Sequence, residues 1–281
     1  MIIDLKKSRK YRLETRNDIQ GYILHVIQVL NEVFGNSIVK EVSFSAGDEV
    51  QGLFDSVEAS YLYFRMFSML VSPVEIRAGI GVGGWDVVVK EAGTTAQDGT
   101  AYHNARKAIN ATEELLGYSV LLFSERNTDM VVNSLLNATA LIINKQSQYQ
   151  NEMMLFSELL YPIVAYNIVD VGKLHMIIDL VRYKSSFIRC NFLSNAKNSK
   201  LSLFYELDNF DFECRPIDVM ADDDAFFVVT GKTRGLPTQI SEIIGITRQS
   251  VDKTIKSANI YEARNMAVAT LKYIRSIWRY I

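Results

Sequence analysis

Apolar positions along this chain change period several times, and each change predicts an element. Residues 1–5 carry an apolar run typical of a short buried strand ending near Asp4. From about Arg16 to Phe34, Ile19, Ile23, Val26, Ile27 and Leu30 recur at helical spacing; Thr15 or Asn17 suits the N-cap, and Gly35-Asn36 closes the helix. Val42 and Phe44 then alternate with Ser43 and Ser45, the period of a half-buried strand. Gly47-Asp48-Glu49 interrupts the alternation and Val50 to Phe54 returns. A second helix is expected from Ser56 to Leu70, stopped by Ser72-Pro73. Val74 to Val82 alternates as a strand, Gly83-Gly84 turns it, and Trp85 to Val89 reads as the return strand. A loop from Gly93 to Thr100 leads to a helix over about 101–116 and a last strand over 118–123. The predicted class is α+β, an antiparallel-rich sheet with helices on one face.

Beyond residue 125 the pattern is less regular. Residues 129–160 contain neither glycine nor proline and read as an amphipathic helical connector, with Val132, Leu136, Met153 and Leu159 among its apolar positions. In the following stretch Phe187 to Phe192 and Leu201 to Phe212 look strand-like, and Asp222-Asp223-Asp224 reads as a solvated loop. Pro237 opens a helix through Ile240, Ile243 and Ile244; Gly245 turns it; Arg248 to Lys256 forms a second helix with Val251 and Ile255 inward. Small residues at a sharp bend between two crossing helices are what a helix-turn-helix requires. A final helix over 260–280 reads as a packing or dimer helix. The expected organisation is therefore 1–125, an α/β domain; 126–162, the connector; 163–231, a mixed, strand-containing insertion; and 232–281, the helix-turn-helix with its trailing helix.

Charge alters this picture in one place. The 281 residues carry a net charge of −2. From Lys232 onward, however, nine bases face only Glu242, Asp252 and Glu262. A basic end on an acidic body suggests a polyanion partner, and DNA suits the predicted motif. Thr247, Arg248, Gln249, Ser250, Lys253 and Lys256 lie on the second helix or at its start, where Arg and Gln suit base edges and lysines suit phosphates. The alternative is a helix-turn-helix used only for packing or dimerisation. No window holds the ~18 uninterrupted apolar residues of a membrane span, so no membrane partner is expected. The opening residues lack a secretory leader's features, and the two cysteines, Cys190 and Cys214, make no disulfide framework. A cytoplasmic location is expected.

Candidate chemistry centres on the acidic hairpin. Two acids beside Gly47 concentrate negative charge at a tip, which is costly unless water or a cation meets it. Alone, Gly-Asp-Glu is a solvated turn. Among the histidines, His103 has no acid at helical spacing and reads as a surface residue, and no Cys/His spacing supports zinc. Trp85 and the stripe Tyr61, Tyr63, Phe64 and Phe67 read as core or interface.

The chain resembles the SatD family of bacterial proteins. The resemblance rests on Ser45 to Phe54 (SAGDEVQGLF), on Ile76 to Val82 followed by Gly83-Gly84-Trp85, and on Gln97-Asp98-Gly99 with Ala101 to Ala108 (AYHNARKA). It continues in Thr238-Gln239, Thr247-Arg248-Gln249 and Ser257-Ala258-Asn259. The N-terminal half is also similar to the ferredoxin-like palm of class III nucleotide cyclases and GGDEF diguanylate cyclases. That similarity implies a metal site at Asp4, Asp48 and Glu49 for Mg²⁺ or Mn²⁺, with Asp4 and Asp48 meeting on one cation. It also implies phosphate contacts from Lys6, Ser8, Arg9 and Gly47, and a transition-state role for Arg106. Two departures count against turnover: Tyr102 stands where the cyclases carry Asn, and Lys7 where a Gly is usual. Three functions follow as expectations. The first is a regulator coupling a nucleotide-binding palm to a DNA-binding helix-turn-helix, with a second copy in a homodimer among its expected partners. The others are a metal-dependent cyclase or nucleotidyltransferase releasing pyrophosphate, and a protein-interaction scaffold in stress physiology.

Overall fold

The computed structural model describes residues 1–6, 11–114, 118–192, 213–219 and 235–278. The expected phosphate contacts Ser8 and Arg9, the strand over 201–212 and the Asp222–Asp224 loop lie outside the described residues.

The N-terminal part follows the α+β expectation. Strand β1 (Ile2–Leu5) leads to helix α1 (Leu13–Val33), then to a hairpin of β2 (Ile38–Ala46) and β3 (Glu49–Phe54), and to helix α2 (Val57–Val71). Strand β4 (Ile76–Gly81), helix α3 (Thr100–Glu114) and strand β5 (Val120–Phe123) complete a five-stranded sheet of order β2-β3-β1-β4-β5. The first four strands pair antiparallel and β5 joins β4 in parallel. Helix α1 starts at Arg12, whose side chain makes no cap bond, rather than at Thr15 or Asn17. Ser56 does cap α2, accepting from the Ala59 N–H.

Three expectations are corrected here. The helices do not share one face: Ile3, Val50, Ala78 and Ile80 pack with α1 and α2, whereas Ile2 packs with Ala105 and Ile109 of α3 on the other side. The cause is Gly79 and Gly81, which alternate with Ala78 and Ile80 and leave that face bare. A Cβ at Gly81 would lie 2.1 Å from the Ala101 carbonyl oxygen, so only glycine lets α3 come this close. Next, Trp85–Val89 forms no strand. Val87 makes a single bridge to Asp98, and the loop is stitched by the Gln97 amide, which accepts from the Trp85 indole N–H and donates to the carbonyls of Val89, Ala92 and Gly93. Finally, Phe187–Phe192 is the end of a helix, α6 (His175–Phe192). Among its described side chains Ile177, Leu180, Val181, Lys184, Phe187 and Ile188 are buried, a helical stripe that a six-residue window is too short to reveal.

Residues 129–160 are helical but form two helices, α4 (Asp129–Asn144) and α5 (Gln148–Leu160), parted at Lys145–Ser147 by a capping box of Ser147 and Gln150. Helix α4 closes the exposed edge of β5 with side chains in place of a strand. Asn133 accepts from the Leu122 N–H at 2.6 Å and donates to its carbonyl at 2.9 Å. One turn on, Asn137 accepts from Ser119 and donates to Val120. Every residue from Asn151 to Leu160 in α5 is buried. Short strands β6 (Ile163–Val164) and β7 (Ile217–Asp218) pair in parallel nearby. The chain then continues through α7 (Leu236–Ile244), α8 (Arg248–Ser257) and α9 (Ile260–Trp278).

The junction of α2, α5 and α9 is held by buried charge. Glu158 of α5 accepts from Arg65 of α2 at 2.5 Å and from Arg264 of α9, and Arg264 also donates to the Tyr161 carbonyl at 2.5 Å. Tyr161 in turn donates its hydroxyl to Gln239 of α7 at 2.5 Å. This network ties α7 and α9 to α5 and α2, and α9 also packs along α4.

Candidate functional site

Register assembles the first group of residues. Asp4 on β1 has Glu49 of β3 and Arg77 of β4 as its cross-strand partners, so three ionisable side chains share one face of three adjacent strands. That face is the one α3 covers. Arg77 donates from Nε to Asp4 Oδ2 at 2.7 Å, reaches the same oxygen with Nη2 at 2.6 Å, and pairs through Nη1 with Glu113 of α3. Arg106 grips both oxygens of Glu49, Nη2 to Oε1 at 2.7 Å and Nη1 to Oε2, and the Ser45 hydroxyl donates to Oε1 at 2.8 Å. This fork-to-carboxylate geometry is the strong form of the ion pair.

Electrostatics separate the two gripped carboxylates. Burial raises the Asp4 carboxyl above its ordinary value, and the charges of Asp48 and Glu49 add to the rise against the pull of Arg77. Burial acts upward on Glu49 too, but hydrogen bonds from Arg106 and Ser45 outweigh it, and this carboxyl lies below the usual range. The bond to Glu49 holds Arg106 above its ordinary value.

Of the residues expected at this site, Asp4 lies opposite Glu49 across the β1-β3 pairing, Arg106 grips Glu49, and Asp48 is near enough to act on both carboxyls by its charge. Gly47 sits at the hairpin tip in the left-handed region (φ +62°), with its carbonyl accepting from Gln20 at 3.3 Å. The Lys6 N–H donates to the Glu75 carbonyl, and Lys6 lines a groove with Ser72, Pro73 and Gln146 at the C-terminal end of α2. Tyr102 lies 3.5 Å from Thr94 Oγ1, and the buried Asn104 donates to the Val82 carbonyl at 2.8 Å, a structural role. His103 has an acid after all: its Nε2 is 3.3 Å from Asp98 Oδ1, five residues back and just before the helix, where helical spacing does not look.

Sequence reasoning missed Arg77, Glu113 and Ser45. A signal for Arg77 existed: it alternates in phase with Gly79 and Gly81, and so belongs to the face left for a close-packed helix. The donor set at Asp4, Asp48 and Glu49 is of the kind Mg²⁺ or Mn²⁺ takes, carboxylate oxygens only. Two of those carboxylates, however, are engaged by guanidinium groups. Among the described residues no three His, Cys, Asp or Glu side chains stand together as a ready metal cage.

A second exposed group lies on α8. Gly245 (φ +66°) bends the chain between α7 and α8, a conformation glycine adopts without strain. Thr247 caps α8, its hydroxyl accepting from the Ser250 N–H at 3.2 Å. Val251 and Ile255 are buried against the neighbouring helices, while Thr247, Arg248, Gln249, Ser250, Lys253 and Lys256 are all exposed. Lys256 also pairs with Asp252 one turn earlier, at 2.6 Å. Helix α9 buries Ile260, Ala263, Ala267, Leu271 and Ile274, and so packs behind them.

The model of one family, described as the SatD family, matches residues 1–188. No curated protein and no solved structure matches this chain. No helix among the described residues is long and apolar enough to cross a membrane.

Proposed function

This chain belongs to the SatD family, and we propose that it is a bacterial two-part regulator: a sheet unit that binds a metal-nucleotide, joined rigidly to a helix-turn-helix that binds DNA. The observation that carries this reading is the exposure of Thr247, Arg248, Gln249, Ser250, Lys253 and Lys256 on α8 and its cap, beside a buried Val251/Ile255 stripe. Nothing in packing requires that concentration of Arg, Gln and Lys on the outward side. Arg248 and Gln249, at the N-terminal end of α8, suit base edges, and Lys253 and Lys256 suit phosphates. For the sheet unit, support comes from the β2-β3-β1-β4 order, the arrangement of a ferredoxin-like palm, and from the acids gathered at the β2-β3 tip. Asp4, Asp48 and Glu49 would hold a divalent cation, which when bound neutralises phosphate charge. Gly47 at the hairpin tip is the described candidate for contacting those phosphates; Lys6 lies instead in the groove at the end of α2.

Two measurements test the reading. Anisotropy of the whole chain with random-sequence duplex DNA should give salt-dependent binding, and a double change of Lys253→Ala and Lys256→Ala should flatten the logarithmic salt slope by about 1.8. Absence of salt-sensitive binding overturns the DNA assignment. A thermal-shift screen of nucleoside triphosphates with Mg²⁺ or Mn²⁺ should find a ligand worth about 2.7 kcal/mol at a hundredfold excess over its dissociation constant.

A second reading, a cyclase or nucleotidyltransferase, is favoured by the position of Arg106 against the hairpin acid Glu49. It requires release of pyrophosphate from ATP or GTP with Mn²⁺, abolished in Asp48→Asn.

A further inference from the structure

Where β1 and β4 meet the ends of two helices, the surface opens into a groove of about 380 Å³, a size common among small-molecule sites. Lys6 and Glu75 line it as cross-strand neighbours, joined by the Lys6 N–H to the Glu75 carbonyl at 2.8 Å. Ser68 and Ser72 bring the C-terminal end of α2 to it, and Asn144 and Gln146 bring the end of α4. Val74, Ile76 and Ile143 are buried and make part of its lining apolar. A recess of about 20 Å³ shares Ser68, Ile76, Ile143 and Asn144 with the groove and runs on to Phe64 and Leu136. That is room for one methyl-sized group.

Both signs of charge line this groove. Lys6 brings an ammonium group and Glu75 a carboxylate, and the C-terminal ends of α2 and α4 carry the partial negative charge of their last carbonyls. A ligand that matches both signs carries a carboxylate and an ammonium of its own. Gln146 adds a narrower demand. Its Nε2 donates to the Ala258 carbonyl at 3.0 Å, while its Oε1 is buried with no hydrogen-bond partner among the described residues. A buried acceptor without a donor is costly, and an ammonium group in the groove supplies one.

We propose that this groove binds a free α-amino acid, its carboxylate on Lys6, its ammonium toward Gln146 and its small apolar side chain against Ile76 and Ile143. Ala258 is the C-cap of α8. The side chain that meets the ammonium therefore also holds the end of that helix, and occupancy of the groove reaches α8 through Gln146.

The test titrates each proteinogenic α-amino acid into the whole chain, followed by calorimetry and thermal shift. At least one with a small apolar side chain should bind one to one and raise the unfolding midpoint. Its decarboxylated amine and its deaminated acid should each bind roughly tenfold more weakly, because each leaves one charge of the groove unmatched. Lys6→Met should weaken the amino acid by a similar factor and leave the amine unchanged, a split that a merely structural Lys6 does not produce. Ligand should also slow hydrogen exchange around Ala258 at the end of α8, and Gln146→Ala should abolish that slowing. No binding by any amino acid overturns the site. Equal binding of amine, acid and amino acid, or binding indifferent to Lys6→Met, overturns the assignment of the ligand. Binding without slower exchange at α8 overturns the coupling through Gln146. None of these measurements uses DNA, metal or nucleotide, so the groove stands or fails apart from the function proposed above.

Discussion

Two clusters of the same chemistry, each an arginine–carboxylate contact between distant parts of the chain, behave as opposites. At the sheet face, Arg106 holds Glu49 with side chains 47% and 16% exposed. At the helical junction, Arg65 and Arg264 share Glu158 with all three at 3% or less. Water stands ready to replace Arg106 and offers the other pair no substitute. An exposed ion pair contributes about 0–1 kcal/mol, whereas removing one partner from a buried pair strands a charge in a medium that cannot solvate it. Guanidinium and carboxylate therefore make a replaceable contact in one place and a fixed joint in the other. The replaceable one lies beside the candidate ligand site; the fixed one ties the candidate DNA-binding helices to the sheet.

The sharpest way to break this contrast is Glu158→Leu. It leaves Arg65 and Arg264 buried without their shared carboxylate, and a loss of about 3–5 kcal/mol is expected in urea unfolding. Replacing all three members with apolar residues of similar size should restore most of that loss, as the cost lies in the stranded charge. Next in size is Gly81→Ala, whose Cβ meets backbone atoms of Ala101 and Ala105 at 2.1 Å. It should cost about 1–3 kcal/mol by forcing α3 outward. Hydrogen exchange should show loosened α3 amides and an undisturbed α5.

Acid should separate the clusters by sign. Burial works against the charged form of Glu158, but Arg264 and Arg65 overcome it and hold its carboxyl below the ordinary 4.5. Its contribution to stability is complete above that value and is lost as pH falls through the lower native one. Asp4 is raised above 3.8 by burial, with Asp48 and Glu49 adding to the rise. Its native state binds the proton more tightly, so falling pH relieves a cost at Asp4 while it removes support at Glu158. Urea unfolding from about pH 6 to about pH 3 should show a steeper acid loss in Asp4→Asn than in wild type, because the opposing contribution is gone. The smallest expected effect is on the stability of Glu49→Gln, under about 1 kcal/mol, which would confirm by thermal unfolding that the rim pair is not structural.

Much of the architecture was legible along the chain because it depends on near neighbours. Helical spacing from Ile19 to Leu30, alternation around Phe44, and glycines at 47 and 245 each express preferences settled within a few residues. The basic outward side of α8 was legible for the same reason: Val251 and Ile255 name the buried side, and the exposed residues are what remains. The strand assignment of Phe187–Phe192 failed because a short apolar run carries no period of its own; His175 to Lys184 had to be read with it.

Local pattern alone thus determined the α+β class, the acidic hairpin and the candidate DNA-contacting residues. Only the tertiary structure decided which charges meet. Glu49 and Arg106 are 57 residues apart, Arg65 and Glu158 are 93, and Glu158 and Arg264 are 106. Such pairs are set by strand register and helix packing, and nothing in the sequence around a charged residue states which distant residue will neutralise it or whether water will reach them.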